Sequence, residues 1–168
     1  EKIDPASDIE TINTELALSD LESVDKALDR ASKVARSGDK DAQRQVIVLE
    51  KVKTHLDEAK QVRSLNLTEE ELADLYSLHL LTAKPVMYIA NVDEEGFENN
   101  PHLDTVIAIA KKEGAAVVAI CNKLEAEIAE LEDDERIEFL EDLGMEEPGL
   151  DRVIRVGYTL LGLQTYFT

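Results

Sequence analysis

Cysteine, tryptophan and long apolar runs are scarce or absent in this sequence. Its 168 residues include one cysteine, no tryptophan and four prolines, and aromatic residues make up 4%. A single cysteine excludes a framework of intramolecular disulfides. No apolar run approaches the roughly 20 residues of a membrane-spanning helix. We therefore expect neither a disulfide-stabilised scaffold nor a membrane protein.

Positive charge is also scarce. The chain has 18 Lys and Arg against 37 Asp and Glu, for a net charge of −19. This balance argues against binding to nucleic acid or anionic lipid through a broadly basic surface. No sequence-specific DNA partner is therefore expected.

The sequence does have enough apolar residues for one folded domain, or for a domain with an added arm. Apolar residues make up 43% and charged residues 33%, which is typical of an ordered globular protein. The lone cysteine suits a reducing compartment, so we expect the cytoplasm. The first residue is Glu1 rather than methionine, and the strand-like residues 163–168 stop abruptly, so we interpret the chain as a segment of a longer protein.

Residues 7–66 are predicted to form a helical hairpin. Ser7 and Glu10 have the spacing of a capping box, which predicts a helix that begins at Ser7. Apolar residues then recur every three or four positions in two stretches, as in helices that pack along each other. Gly38 and Asp39 separate the stretches and suit the end of one helix and the N-cap of the next. So short a connection predicts two antiparallel helices. The recurring residues are Ala17, Leu21, Val24, Leu28, Ala31 and Ala35, then Ala42, Val46, Leu49, Leu56 and Ala59.

A strand–helix–strand unit is predicted in the second half of the chain. Residues 86–91 and 115–120 are short, nearly continuous apolar runs, typical of parallel strands covered on both faces. Between them, Asn100 and Pro101 can begin a helix that Gly114 ends. The pattern predicts an α/β fold with a right-handed crossover between two parallel strands.

Two further helices are predicted around this unit. A second capping box at Thr68 and Glu71 predicts a helix that continues through Leu81. Residues 149–163 have the pattern of a final amphipathic helix.

The carboxyl ends of the two predicted strands carry candidates for a ligand-binding site, because ligands of open parallel sheets bind beyond these ends. The second strand is followed by a loop and then by a helical stretch from Leu124. A solvated polar loop is the alternative interpretation of these positions, and a packing role is the alternative for the cysteine. The candidates are Asn91, Val92, Glu94, Cys121, Asn122 and Lys123.

These residues resemble the base-recognition half of a GTPase-type P-loop domain. Guanine-specific members carry Asn-Lys-x-Asp after the first of these strands, whereas this chain has Asn91-Val92-Asp93-Glu94. The longer Glu94 and the absence of lysine at Val92 weaken selectivity for guanine. Asn-x-x-Glu at this place is similar to the YchF, or Obg-like ATPase, family of the TRAFAC class, whose members prefer ATP. Further segments that resemble that family are 8–18, 37–40, 81–85, 96–101, 147–150 and 161–168.

The resemblance covers essentially the whole chain and implies a division into parts. Residues 1–6 would link to a preceding half of the nucleotide-binding domain, and residues 7–66 would be an inserted coiled-coil hairpin. Residues 67–162 would form the C-terminal half of a Rossmann-like P-loop NTPase sheet, and residues 163–168 the start of a TGS-like domain.

The resemblance also implies a function, that of a ribosome-associated, cytoplasmic ATPase. This segment would supply base recognition, through the six candidate residues, and a helical interaction arm. ATP or GTP with Mg²⁺ is the cofactor expected in the longer protein, and the ribosome is the expected partner. No Gly-x-x-x-x-Gly-Lys-[Ser/Thr] occurs here, so we expect the chain alone neither to hold nucleotide tightly nor to hydrolyse it. No catalytic or metal-binding residue is assigned.

A non-catalytic helical hairpin that contacts protein or RNA is the alternative interpretation. Its basic side chains gather toward the predicted tip of the hairpin, where solubility explains them equally well. Two strands are too few for a covered parallel sheet, so the chain alone is expected either to self-associate through these strands or to have a poorly ordered α/β part. The basic residues are Lys26, Arg30, Lys33, Arg36, Lys40 and Arg44.

Overall fold

The computed structural model describes residues 3–164, which fall into two compact units. One unit is helical and comprises residues 7–84. The other comprises the residues before 7 together with those from 85 onward, and it contains the sheet. The helical unit is therefore an insertion in the chain of the other unit.

The helical unit is built on two antiparallel helices, α1 (Pro5–Ala35) and α2 (Lys40–Asp57). Gln43 Nε2 donates a hydrogen bond to the carbonyl of Ala35 at 3.4 Å, and Gln61 Nε2 donates to the carbonyl of Asn13 at 3.1 Å. Residues later in the second segment thus contact residues earlier in α1, as expected for antiparallel helices. Between the helices Gly38 has a φ of +88°, and the carboxylate of Asp39 accepts from the Ala42 N–H at 2.8 Å.

The core of this unit lies between the two helices. Along α1 three of the six predicted apolar residues, Ala17, Val24 and Ala31, are buried, and Leu21 and Leu28 pack against this core partly buried. Along α2 the prediction missed Val48 and Val52, which are buried together with Ala42, Leu49 and Leu56. Helix α2 buries more residues than a single line of contact with α1 would require, because Val62, Leu75 and Leu80 belong to the same core.

Helix α1 begins at Pro5, so the predicted start at Ser7 is wrong. Proline is favoured at the first helical position, since its φ is already helical and the N–H it lacks would have no partner within the helix. Ser7 lies inside the first turn, and its carbonyl accepts a hydrogen bond from the Thr11 hydroxyl at 2.8 Å.

The capping box at Thr68 is present and begins α3 (Glu69–Leu75). The prediction that this helix continues through Leu81 is wrong. Residues Tyr76–Leu78 form a 3₁₀ turn, and His79, with a φ of +49°, ends it in the left-handed region. Two more 3₁₀ turns occupy Val62–Ser64 and Leu81–Ala83.

The helical unit extends to Lys84, beyond the boundary predicted after residue 66. Asp20, with only 3% of its surface exposed, accepts hydrogen bonds from the N–H groups of Leu81 at 2.8 Å and Thr82 at 2.7 Å. The hydroxyl of Thr82 in turn accepts from the Val62 N–H at 3.1 Å. These buried bonds join the segment after residue 66 to α1.

The second unit confirms an α/β fold with a small parallel sheet. Strand β1 (Met87–Asn91) pairs in parallel with β2 (Ala116–Ile120), with Met87 opposite Ala116 and Asn91 opposite Ile120. Helix α4 (Pro101–Glu113) connects them, capped by Asn100 and ended by Gly114 at a φ of +69°, as predicted. Helices α5 (Asn122–Glu130), α6 (Asp133–Asp142) and α7 (Gly149–Leu161) follow.

Helices α4 and α7 each contact both strands. The prediction of strands covered on both faces fails at Ile89, which is 49% exposed. The proposed start of a TGS-like domain lies largely outside the described residues, which end at residue 164. None of the helices in residues 3–164 combines the length and apolarity that a bilayer crossing requires.

Candidate functional site

An open cleft of about 720 Å³ lies at the carboxyl ends of β1 and β2. It is lined by residues 91–96, 98–101 and 121–123. All six candidates from the sequence therefore line one cleft, in the volume range of small-molecule sites.

The parallel register brings the two strand ends together. Since Asn91 lies opposite Ile120, both strands finish at the same edge of the sheet. The N–H of Val92 donates to the carbonyl of Ile120 at 2.8 Å, which extends the ladder one residue beyond β1. The side-chain oxygen of Asn91 accepts from the N–H of Asn122 at 3.1 Å and so bridges the two segments.

Glu94 and Lys123 form an ion pair across the cleft, in which the ammonium donates to one carboxylate oxygen of Glu94. The side chains remain 49% and 71% exposed, respectively. The hydrogen bond to Glu94, followed by the charge of Glu94, raises the pKa of Lys123 above its ordinary value. The cleft thus presents a carboxylate acceptor beside an ammonium donor.

Cys121 supplies backbone rather than an open thiol to the cleft. The residue is 3% exposed, and its carbonyl accepts the Glu125 N–H at 3.0 Å, which makes it the N-cap of α5. Asn122 and Lys123 consequently lie in the first turn of a helix. The predicted loop at these positions is wrong, because α5 begins two residues before the expected Leu124.

Two residues in or next to the cleft, Asn100 and Glu125, make contacts that were not identified from the sequence. Asn100 was expected only as a helix cap, yet its amide also donates to the carbonyl of Gly96 at 3.0 Å. Glu125, just after the cleft, accepts from the N–H groups of Gly149 at 2.7 Å and Leu150 at 2.9 Å. Glu125 and Gly149 are 24 positions apart, so no local spacing could reveal their contact.

The cleft offers hydrogen-bonding side chains rather than a cluster of metal ligands. Among residues 3–164 no group of three or more His, Cys, Asp or Glu side chains is placed to hold a metal. By contrast, the amide of Asn91, the carboxylate of Glu94 and the ammonium of Lys123 provide the directional donors and acceptors that the edge of a base requires.

Comparison with known proteins finds close relatives along nearly the whole chain. Proteins named "Ribosome-binding ATPase YchF" are 59% identical in Haemophilus influenzae and 58% in Escherichia coli O157:H7 over 167 residues, and 46% in Bacillus subtilis over 170. Each match covers 99% of this chain and 46% of the relative. The chain therefore spans about half the length of these relatives. No family model matches it.

The structure also resembles a solved one. The YchF GTPase of Schizosaccharomyces pombe superimposes with a TM-score of 0.86 and 28% sequence identity. The similarity covers 95% of this chain and 45% of that protein.

Proposed function

Because the chain belongs to the YchF family, we propose that it supplies the base-binding part of the nucleotide site of a ribosome-associated, cytoplasmic ATPase. The observation that carries this proposal is the meeting of Asn91, Glu94 and Lys123 in one cleft beyond the carboxyl ends of parallel strands. This is where open α/β sheets bind nucleotides. The wall formed by Val92 and the backbone of Cys121 and Asn122 completes the site.

The ion pair supports a preference for ATP over GTP. Guanine offers two adjacent donors, N1–H and N2–H, which a free carboxylate accepts together. One oxygen of Glu94 already accepts from Lys123, so the two guanine donors would compete with this ammonium for the same carboxylate. Adenine has one exocyclic amino donor at this edge and therefore needs only one acceptor. Val92 cannot provide the charged stem that covers guanine in Asn-Lys-x-Asp sites.

The phosphates and Mg²⁺ are assigned to a part of the longer protein outside this chain. The sequence has no Gly-x-x-x-x-Gly-Lys-[Ser/Thr] segment to cradle phosphate. When bound, the metal would neutralise charge on the transferred phosphoryl group. The role of this chain is to bind and orient the base.

The helical unit is proposed as the arm that contacts the ribosome. The printed name of the bacterial relatives states ribosome binding, and α1 spans 31 residues, roughly 46 Å at about 1.5 Å per residue. Such a length suits an interaction arm better than support for a nucleotide site.

A purely RNA-binding hairpin is less well supported. Three of the six basic residues near the tip are already engaged with carboxylates, which reduces the charge available to a phosphate backbone. These pairs are Lys26–Glu22 at 3.7 Å, Lys33–Asp29 at 2.6 Å and Arg44–Asp74 at 3.0 Å.

Nucleotide titration of the full-length protein tests the base-binding proposal. We expect ATP to bind at least as tightly as GTP, measured by calorimetry with Mg²⁺ present. The double variant V92K/E94D restores Asn-Lys-x-Asp and should shift the preference toward GTP. The matched control E130D, which shortens an exposed carboxylate of α5 outside the cleft, should leave the ratio unchanged. A wild-type preference for GTP, or a ratio unaffected by the double variant, would contradict the proposal.

A further inference from the structure

Asn100 joins the loop that carries Glu94 to the start of α4. Its Oδ1 accepts from the N–H groups of His102 at 3.1 Å and Leu103 at 3.3 Å, and its Nδ2 donates to the carbonyl of Gly96 at 3.0 Å. The oxygen therefore caps the helix while the nitrogen holds the loop. One side chain performs two separable tasks.

The loop is a tight turn with Glu94 inside it. The N–H of Gly96 donates to the carbonyl of Asp93 at 2.8 Å. A Cβ at Gly96 would lie 3.1 Å from both the backbone nitrogen of Asp93 and the Cβ of Val92. The turn is thus closed at Gly96, and a displacement of that residue moves the backbone of Glu94 with it.

The same segment is fixed at its other end by the sheet. The Val92 N–H donates to the Ile120 carbonyl at 2.8 Å. Residues 92–96 are therefore held at Val92 by β2 and at Gly96 by Asn100. Between these two attachments, Glu94 makes its ion pair with Lys123.

We propose that Asn100 is a positioning residue for base recognition, acting through Glu94 by means of the Nδ2–Gly96 hydrogen bond. The inference rests on the proposed function and adds a specific residue to it. Aspartate or glycine at position 100 retains most of the helix-capping ability of asparagine. Neither can donate to the Gly96 carbonyl. These two substitutions therefore separate the positioning task from the capping task.

The test uses the full-length protein and steady-state ATP hydrolysis. For N100D and N100G we expect the KM for ATP to rise about 2- to 10-fold, as for the loss of one hydrogen bond. The kcat should stay unchanged, because a base contact is uniform binding. Two variants are used because N100D adds a negative charge that N100G does not. The control H102A alters the same helix turn without touching the loop and should leave KM unchanged.

A thermodynamic cycle shows whether the effect passes through Glu94. In an E94A background, N100G should raise KM no further, because the residue that it positions is gone. G96A displaces the turn without altering the α4 cap, so it should reproduce the rise in KM of N100G even if the position 100 variants fold poorly.

Several outcomes would overturn the inference. An unchanged KM in N100D, N100G and G96A, with wild-type protein that binds ATP, would reject the positioning role and leave the proposed function standing. A full additional effect of N100G in the E94A background would show that Asn100 does not act through Glu94. A wild-type protein that binds neither ATP nor GTP would overturn both proposals.

Discussion

At the scale of single residues, Gly149 occupies a place with no room for a side chain. A Cβ there would lie 2.6 Å from Glu125 Oε1 and 2.9 Å from Ile120 Cγ2. The carboxylate of Glu125 is held by the hydrogen bond that it accepts from the Gly149 N–H, and Ile120 belongs to β2. Neither side chain therefore moves freely. We expect G149A to lower the free energy of unfolding by about 1–3 kcal/mol, measured by urea denaturation of the 168-residue chain.

The same substitution at Gly157 serves as the control. This residue lies on the same helix, and an added Cβ would meet nothing within 4 Å. Alanine has the higher helix propensity, so G157A should raise the free energy of unfolding by up to about 1 kcal/mol. Effects of equal sign at the two glycines would contradict the steric explanation.

How well the site could be predicted depends on the kind of contact. Asn91 and Asn122 could be predicted to meet because parallel strands end at one edge, a rule that needs only the strand assignments. The second bond of Asn100 and the contact of Glu125 with Gly149 could not, since both depend on how a loop folds back. Whether the six residues bind a base stays a prediction.

At the scale of elements, the same capping-box pattern had two outcomes. At Thr68 the box forms: the hydroxyl accepts from the Glu71 N–H at 3.2 Å, and the Glu71 carboxylate accepts from the Thr68 N–H at 2.7 Å. At Ser7 it cannot, because Pro5 has already begun the helix. The pattern identifies a helix start only when no stronger start signal precedes it.

The box at Thr68 predicts a pH dependence of stability. The hydrogen bond from the Thr68 backbone, followed by that from Lys51, lowers the pKa of Glu71 below 4.5. A carboxylate with a depressed pKa in the folded state stabilises above its unfolded pKa, and this stabilisation disappears as pH falls through the folded value. E71Q should therefore be less stable than wild type near pH 7, and the difference should vanish well below pH 4.5.

Urea denaturation at several pH values checks this expectation. E10Q is the matched control, because it makes the same substitution in the Ser7–Glu10 pattern, which does not begin a helix. Its free energy of unfolding should differ little from that of the wild type at any pH. A difference for E71Q that persists in acid would mean that the carboxylate charge is not the cause.

At the scale of the whole chain, nucleotide affinity should be lost without the phosphate site. A few hydrogen bonds to a base contribute only about 0.5–1.5 kcal/mol each, whereas positioning and charge stabilisation in P-loop proteins centre on phosphates and Mg²⁺. We expect residues 1–168 alone to bind neither ATP nor GTP at micromolar concentration in calorimetry, while the full-length protein binds ATP under the same conditions. Micromolar binding by the chain alone would place the phosphate site within it.

The fold class of the second unit could be predicted from the sequence, but the end of the helical unit could not. Apolar runs separated by a capped helix were enough to predict the parallel α/β unit. The end of the helical unit was placed too early because Asp20 meets Leu81 and Thr82 across about 60 residues of sequence. Hydrophobic periodicity carries no information about a buried carboxylate that binds backbone at such a separation.

The position of the helical unit in the chain has a consequence for the order of synthesis. The unit ends at Lys84, so every residue of its core is made before Met87, the first residue of β1. Compact units fold as wholes during translation, the earlier ones first. The helical unit can therefore complete its core before β1 and β2 are made. Strand β1 then lacks its parallel partner β2 until α4 has also been made, and during this interval its edge toward β2 is unpaired.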